Sequence, residues 1–411
     1  MNIYPNTQKR FILLAFIFSL NFISVAIAGQ ASLPLPPTTS NDNFRSIGES
    51  LYNACQSASG SFFSDCFDAL TDAQNDKNTI SALTPDELTA NNTNISSSAV
   101  NSSLVRLGAL RKMGGAASAD SAFSRFSVYT NGYSSWQQYN QQGLNPGFKL
   151  FDSKATLGAD YRFTDNFIIG LSSSFLNSDS QLKQGAGNID TDGYSFAIYS
   201  SFYVDNNFFI DGSFAYSDQA TNTSRNVSYG VTNQIASANF DSDTYSAGFV
   251  TGYNFFNDGW TLTPTARWMY RNIKMDGYTE SLSNPTAAGG SLALAIGKQQ
   301  YESMTGNFGA QLSYAWSQSW GVLIPTFSAE YIHEFSNNSK TVNARFINAP
   351  TGTGAFTVTS SKMDTDYASI SAGVSTQFSQ GVSAFLNYEK LLDLKSVTSD
   401  SVSMGIRLEL D

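Results

Sequence analysis

The chain has 411 residues, with 33 Asp and Glu against 23 Lys and Arg, a formal net charge of −10, and a single histidine. That acidic balance argues against nucleic acid as a partner. The apolar content of 41% is spread through alternating segments, so no membrane-spanning helix is expected beyond the extreme N-terminus.

At that terminus Lys9-Arg10 precede an apolar run from Phe11 to Ile27 that closes on Ala26-Ile27-Ala28, a small-x-small cleavage signal. Residues 1–28 are therefore expected to be a signal peptide processed after Ala28. The alternative, a retained anchor, sits at the short limit for a span and carries Asn21 inside it. Residues 29–42 hold Pro34, Pro36 and Pro37 among Ser, Thr and Asn and read as a flexible start. Asn43 to Ala73 look helical, with Phe44, Ile47, Leu51, Phe62, Phe67 and Leu70 as apolar positions. The only cysteines, Cys55 and Cys66, are expected to form a local disulfide in an exported protein. Closing so short a loop contributes on the order of 3 kcal/mol in the chain-entropy model.

Farther on, Val100, Leu104, Leu107 and Leu110 recur at helical spacing until Gly114-Gly115, which places a helix within 96–116. One reading makes it an amphipathic linker packed outside. The other makes it a plug through a pore, with Arg106 and Arg111 meeting inward carboxylates such as Asp160, Asp211, Glu330 or Glu389.

From Phe126 to Leu410 the sequence alternates with a period of two. Val402, Met404, Ile406, Leu408 and Leu410 oppose Ser401, Ser403, Gly405, Arg407 and Glu409; Phe208, Ile210, Phe214 and Tyr216 oppose Asp211, Ser213 and Ala215. One apolar and one polar face suit a strand between lipid and a wet lumen, where a closed sheet leaves no open edge. Twelve strands are predicted, near 125–136, 149–163, 167–180, 190–203, 207–218, 240–256, 260–273, 298–316, 319–335, 364–378, 382–394 and 400–410. Five joins are short: Thr164-Asp165-Asn166, Val204-Asp205-Asn206, Asn257-Asp258-Gly259, Ser317-Gln318 and Ser379-Gln380-Gly381. The joins between them are longer, notably 219–239, 274–297 and 336–363. Short turns on one rim, long loops on the other and an even strand number describe an all-β, twelve-stranded antiparallel transmembrane barrel. Trp260, Trp268, Tyr270, Trp316, Trp320 and Tyr331 fall where interfacial girdles are expected.

Five segments then resemble a known family: Ala82-Leu83-Thr84-Pro85-Asp86-Glu87-Leu88, Arg106 to Arg111, Leu157-Gly158-Ala159-Asp160-Tyr161-Arg162, Tyr331-Ile332-His333-Glu334-Phe335 and Ser401 to Arg407. In order and spacing they are similar to the autotransporter β-domain of type V secretion. The resemblance implies an outer-membrane translocator with a helix through its pore. It also implies outer-membrane lipid and lipopolysaccharide around the barrel, and barrel assembly machinery with periplasmic chaperones as partners. Residues 29–95 are then a vestigial passenger, shorter than the family's usual cargo. The family's terminal aromatic is replaced by Leu410 and Asp411. Some members cut themselves at an Asn-Asn pair in the pore; here the register gives Asn101-Ser102, a possible processing site.

Catalytic signatures are sparse. Any histidine base must be His333, which alternation places on the outward face with Phe327, Ala329, Tyr331 and Phe335. No G-x-S-x-G elbow appears, and Ala287-Ala288-Gly289-Gly290 lacks the lysine of a phosphate loop. The inward acids Asp160, Asp211, Glu330 and Glu389 suit lumen ion pairing better than glycoside chemistry. No enzyme activity, cofactor or metal is expected. The alternatives to a translocator are a surface adhesin binding a host or cell-surface ligand through its long loops, with Tyr229, Tyr278 and Phe240 suited to contact, and an outer-membrane hydrolase.

Overall fold

The computed structural model describes residues 33–85 except 37 and 77, residues 104 and 107, and residues 125–410 except 141–146, 205–206, 337–340, 361–363, 379–380 and 396. Three helices come first: α1 (Asp42–Ser57), α2 (Gly60–Asn75) and α3 (Asn78–Ser81). The strands that follow are β1 (Phe126–Tyr139), β2 (Phe148–Thr164), β3 (Phe167–Leu182), β4 (Gly187–Tyr203), β5 (Phe208–Tyr229), β6 (Thr232–Tyr253), β7 (Phe255–Asn257), β8 (Trp260–Met275), β9 (Tyr278–Thr279), β10 (Ser281–Leu282), β11 (Leu294–Ile296), β12 (Gln299–Tyr314), β13 (Trp316–Gln318), β14 (Gly321–Glu334), β15 (Thr341–Phe346), β16 (Ala355–Thr359), β17 (Asp366–Phe378), β18 (Val382–Leu392) and β19 (Val397–Leu410).

Among the described residues twelve strands, β1–β6, β8, β12, β14 and β17–β19, form one antiparallel wall. It closes where β1 pairs with β19, from Phe126 opposite Leu410 to Tyr139 opposite Val397. Closure pairs every wall strand on both sides, as hydrocarbon demands. The expected alternation is what the wall shows: Leu262, Phe308, Phe327 and Ile406 are exposed to the outside, while Thr263, Asn307 and Arg407 are buried within. Trp260, Trp316 and Trp320 ring the short-turn end. Trp268, Tyr270 and Tyr331 lie toward the other. From Trp260 to Tyr270 a strand rises about 33 Å, or about 25 Å along the axis at the usual tilt. That matches a hydrocarbon band.

The short turns follow from local chemistry. Asp258 (φ +47°) and Gly259 (φ +82°) make the two-residue reversal between Asn257 and Trp260, the mirror-type hairpin that Asp-Gly favours. One expected turn shifts: Ser317 and Gln318 lie in β13, paired with Val322 and Gly321, so Ser319-Trp320 makes the reversal.

The long-loop end differs most from the sequence expectation. Residues 219–239 are not a loop. β5 and β6 run on, 22 residues each, to a tight turn at Gly230-Val231, with Tyr229 opposite Thr232. Segments 274–297 and 336–363 contribute β9, β11, β15 and β16 to a four-stranded sheet ordered β16-β15-β11-β9, while β10 pairs with the β6 extension. Against these elements sits the helical hairpin. Asn41 caps α1 by accepting from the amides of Asn43 (3.0 Å) and Phe44 (3.3 Å). The helical stretch breaks at Ala58-Ser59, and the Cys55–Cys66 disulfide, with its Cα atoms 5.9 Å apart, staples the two helices.

Candidate functional site

β1 starts and β19 ends at the short-turn rim, whereas the helical hairpin sits at the long-loop rim. Between them lies the lumen. Leu104 and Leu107, both helical, are buried there against Tyr129, Ala197, Tyr199, Phe209, Ala215 and Val250, all inward residues of the wall. This apolar collar was not anticipated; the inward faces read as small and polar. Two glycines make it. A Cβ on Gly158 would meet the Tyr129 ring at 2.4 Å, and one on Gly170 the Tyr199 ring at 2.2 Å. Each tyrosine therefore lies flat over a glycine of the neighbouring strand, and the two rings meet edge to face 6.3 Å apart.

Above and below the collar the lumen is polar, and several of its charges among the described residues are paired or hydrogen-bonded. Arg407 lies 3.6 Å from Asp160, donates to the Ser127 hydroxyl (3.1 Å) and pairs with Glu409. Arg267 pairs with Glu330 at 3.1 Å, and Asn307 donates to the other Glu330 oxygen at 3.2 Å. Asp211 accepts from Ser201 (2.6 Å), and Glu389 faces in between Ser371 and Ser401. Arg106, Arg111, Ala28 and Asn101 lie outside the described residues, so their expected roles carry over only as proposals.

The second half of the site is the cap. Ile47, Leu51, Ala54, Phe62 and Leu70 share one core with Leu292, Leu294, Phe346, Phe356 and Val358 of the rim. Phe62 meets Phe346 edge to face at 6.3 Å. Polar anchors fix the register. Asp65 on α2 accepts from the amides of Gly289 (2.8 Å) and Ser291 (2.9 Å) and from the Ser291 hydroxyl (2.6 Å). Arg225, on the inner face of β5, forms a two-pronged pair with Glu280 (3.0 and 2.6 Å) and donates to the Ala82 carbonyl beyond α3. Glu280 also accepts from the Leu294 amide at 3.0 Å. One buried ion pair thus joins the β5 arm, the rim and the cap.

Tyr229, Tyr278 and Phe240, expected to be free for ligand contact, are buried in this core instead, with Phe240 stacked on Tyr278 at 4.7 Å. Burial pushes the Tyr229 phenol up, reinforced by Asp65, Asp68 and Asp72 of α2. Burial also raises Tyr278, reinforced by Glu280. His333 lies where alternation placed it, on the lipid side near the loop rim, with Nδ1 2.8 Å from Asp366 and its ring against Phe335.

The sequence model of the autotransporter beta-domain family matches residues 128–389. The uncharacterized protein YaiT of Salmonella typhimurium is 30% identical over 192 residues, covering 46% of this chain and 18% of the relative. YaiT of Escherichia coli K12 is 27% identical over 228 residues, covering 54% and 21%. Outer membrane protein A of Rickettsia conorii is 25% identical over 238 residues, covering 53% and 11%. The chain thus spans about a fifth or less of these curated relatives. Two solved structures share the fold. The translocator domain of autotransporter NalP from Neisseria meningitidis has a TM-score of 0.56 at 16% identity, with 75% of this chain and 97% of that one covered. The beta domain of the Bordetella autotransporter BrkA has a TM-score of 0.52 at 15% identity, covering 70% and 100%.

Proposed function

The chain belongs to the autotransporter β-domain family, and from that premise we propose that this outer-membrane translocator barrel displays its own helical hairpin, residues 42–84, at the cell surface as the cap of its outer mouth. The observation that carries the reading is the burial of Leu104 and Leu107 inside the lumen. They lie on the chain between a cap at the long-loop rim and a first strand that begins at the opposite rim. In barrels of this kind the long loops face outward, so the cap is extracellular and the helix of 96–116 is the segment that threads the pore. Arg106 and Arg111 extend the lumen's charge pairing in that segment, and residues 1–28 are the leader removed on export.

The same premise supplies the surroundings: lipid against the aromatic girdles, lipopolysaccharide at the outer rim, and the assembly machinery and its chaperones on the way in. We read the chain as a conduit and display device without catalysis, because the one histidine faces lipid. The core under the cap holds the loop aromatics that an adhesin would offer, which favours the closed translocator over a ligand-binding surface.

An epitope inserted after Ser59, exposed at the turn of the hairpin, tests the placement. Antibody labelling of intact cells is expected. Labelling only after the outer membrane is permeabilised would refute it.

A further inference from the structure

The rim sheet ends on β16, and an open strand edge is a template for another strand. β16 reads Ala355-Phe356-Thr357-Val358-Thr359, with no charge and no proline, so it has none of the residues that ordinarily blunt an edge. Its inner side pairs with β15, Thr359 opposite Thr341 and Thr357 opposite Asn343. Its outer side is met by α1. The Thr359 amide donates to Asn43 Oδ1 at 2.8 Å, and Asn43 Nδ2 donates to the Thr359 carbonyl at 2.8 Å. The Thr357 amide donates to Ser46 Oγ at 3.2 Å. A carboxamide that both accepts from and donates to one residue's main chain reproduces the two bonds of a hydrogen-bonded pair in an antiparallel ladder. Through Asn43 and Ser46, α1 stands where a fifth strand would.

We propose that β16 is a self-association strand held closed by α1, and that with α1 displaced two copies of this chain join by antiparallel β16–β16 pairing about a two-fold axis at Thr357. A second copy is the occupant because an antiparallel edge is its own complement and generates a closed isologous dimer. The absence of charge in β16 sets no like charges against each other across that axis. Phe356 and Val358, buried under the cap, are uncovered together with the edge and add apolar area to the new contact. Asn43, Ser46 and Asp65 are the polar contacts that keep α1 and α2 seated. The inference goes beyond translocation, and it holds whichever side of the membrane the cap faces.

The test measures the mass of the purified full chain in detergent by light scattering. The unaltered protein is expected to be a single copy with Arg45 protected from trypsin. In Asn43→Ala/Ser46→Ala/Asp65→Ala, α1 opens to trypsin at Arg45 and the protein mass doubles; adding Thr357→Lys returns it to one copy. Asn43→Asp, which keeps an acceptor for the Thr359 amide but opposes a carboxylate to its carbonyl, repeats the test with one substitution should the triple variant lose its barrel. An opened variant that stays a single copy overturns the proposal, as does a dimer indifferent to Thr357→Lys. So does an α1 that still resists trypsin, since the three contacts then do not hold it. None of these outcomes bears on epitope labelling of intact cells, so the two readings fail separately.

Discussion

Asp65→Ala should loosen the cap while leaving the barrel wall intact. The carboxylate is 6% exposed and accepts three hydrogen bonds, from the Gly289 amide, the Ser291 amide and the Ser291 hydroxyl. Gly289, at φ +75°, turns the segment so that these amides converge as an anion nest. Truncation leaves buried donors without an acceptor, each costing about 1–3 kcal/mol; water entering the vacated volume recovers part of that. A net loss of roughly 3 kcal/mol is about a hundredfold in the opening equilibrium, at 1.4 kcal/mol per tenfold. Hydrogen exchange in detergent reads this directly at the amides of Ile47, Leu51 and Leu70, deep in α1 and α2. They should exchange about a hundredfold faster in the variant, with Asp65→Asn between it and the parent, while wall strands such as β3 keep their protection. Unchanged exchange in the helices would refute the anchoring role. Equal acceleration in β3 would show that the cap and barrel open as one unit.

Glu280→Ala strands the Arg225 guanidinium in the core and should release the cap at a cost of about 3–5 kcal/mol. Arg225→Met/Glu280→Leu, which removes both charges but leaves the Leu294 amide and the Ala82 carbonyl without these partners, should cost less, about 1–3 kcal/mol; proteolysis rates of residues 42–84 distinguish the two. Reducing the disulfide, or replacing Cys55 and Cys66 with Ala, should remove about 3 kcal/mol from the hairpin, read as a lower helical melting temperature with the sheet signal unmoved. Tyr229 and Tyr278 are held neutral above the ordinary phenol value. Their contribution is complete below about pH 10, where the open chain's phenols are also neutral, and is lost as pH rises toward the folded values. Cap protection should therefore fall above about pH 10, and Tyr229→Phe with Tyr278→Phe should flatten that fall. Leu107→Asp puts a carboxylate into the collar of Tyr129, Tyr199 and Phe209 and should raise single-channel conductance in a planar bilayer; an unchanged trace would remove the helix as the seal.

The membrane-spanning wall was legible because lipid on one side and water on the other force a visible alternation. Ile210 and Phe214 point out while Asp211 and Ser213 point in, and the structure agrees. Beyond the bilayer that contrast fades. In the β5 arm, Ala220, Asn222, Ser224, Asn226 and Ser228 face outward opposite Gln219, Thr221, Thr223 and Arg225, so both faces are mostly polar and the strand reads as a loop. The signal that remained was Val227 and Tyr229 at alternate positions before Gly230. In 336–363 the clue was stronger. Val342, Ala344 and Phe346, then Phe356 and Val358, alternate around a segment with Pro350, Gly352 and Gly354, a hairpin pattern that the surrounding polarity obscured.

The cap was illegible for a different reason: neither of its halves makes a core alone. The hairpin's Ile47, Leu51 and Leu70 form one apolar face, and two short helices cannot enclose such a face between themselves. The rim's Leu292, Leu294, Phe346 and Val358 form another, on a small sheet with one side bare. Period-two and period-3.6 patterns each report that a face exists and are silent about what covers it. The complementarity lies more than two hundred residues apart in the chain, in pairs such as Asp65 with Ser291 and Asn43 with Thr359. What the sequence did contain was an imbalance. Apolar side chains at loop positions of an outer-membrane barrel have no lipid to face, and a stapled hairpin with a one-sided apolar stripe has no partner of its own. Each requires burial, and Leu104 and Leu107, buried in the lumen, lie on the chain between the hairpin at one rim and β1, which begins at the other. Matching unpaired apolar faces at distant places in the chain is thus the inference that local pattern omits and chain connectivity supplies.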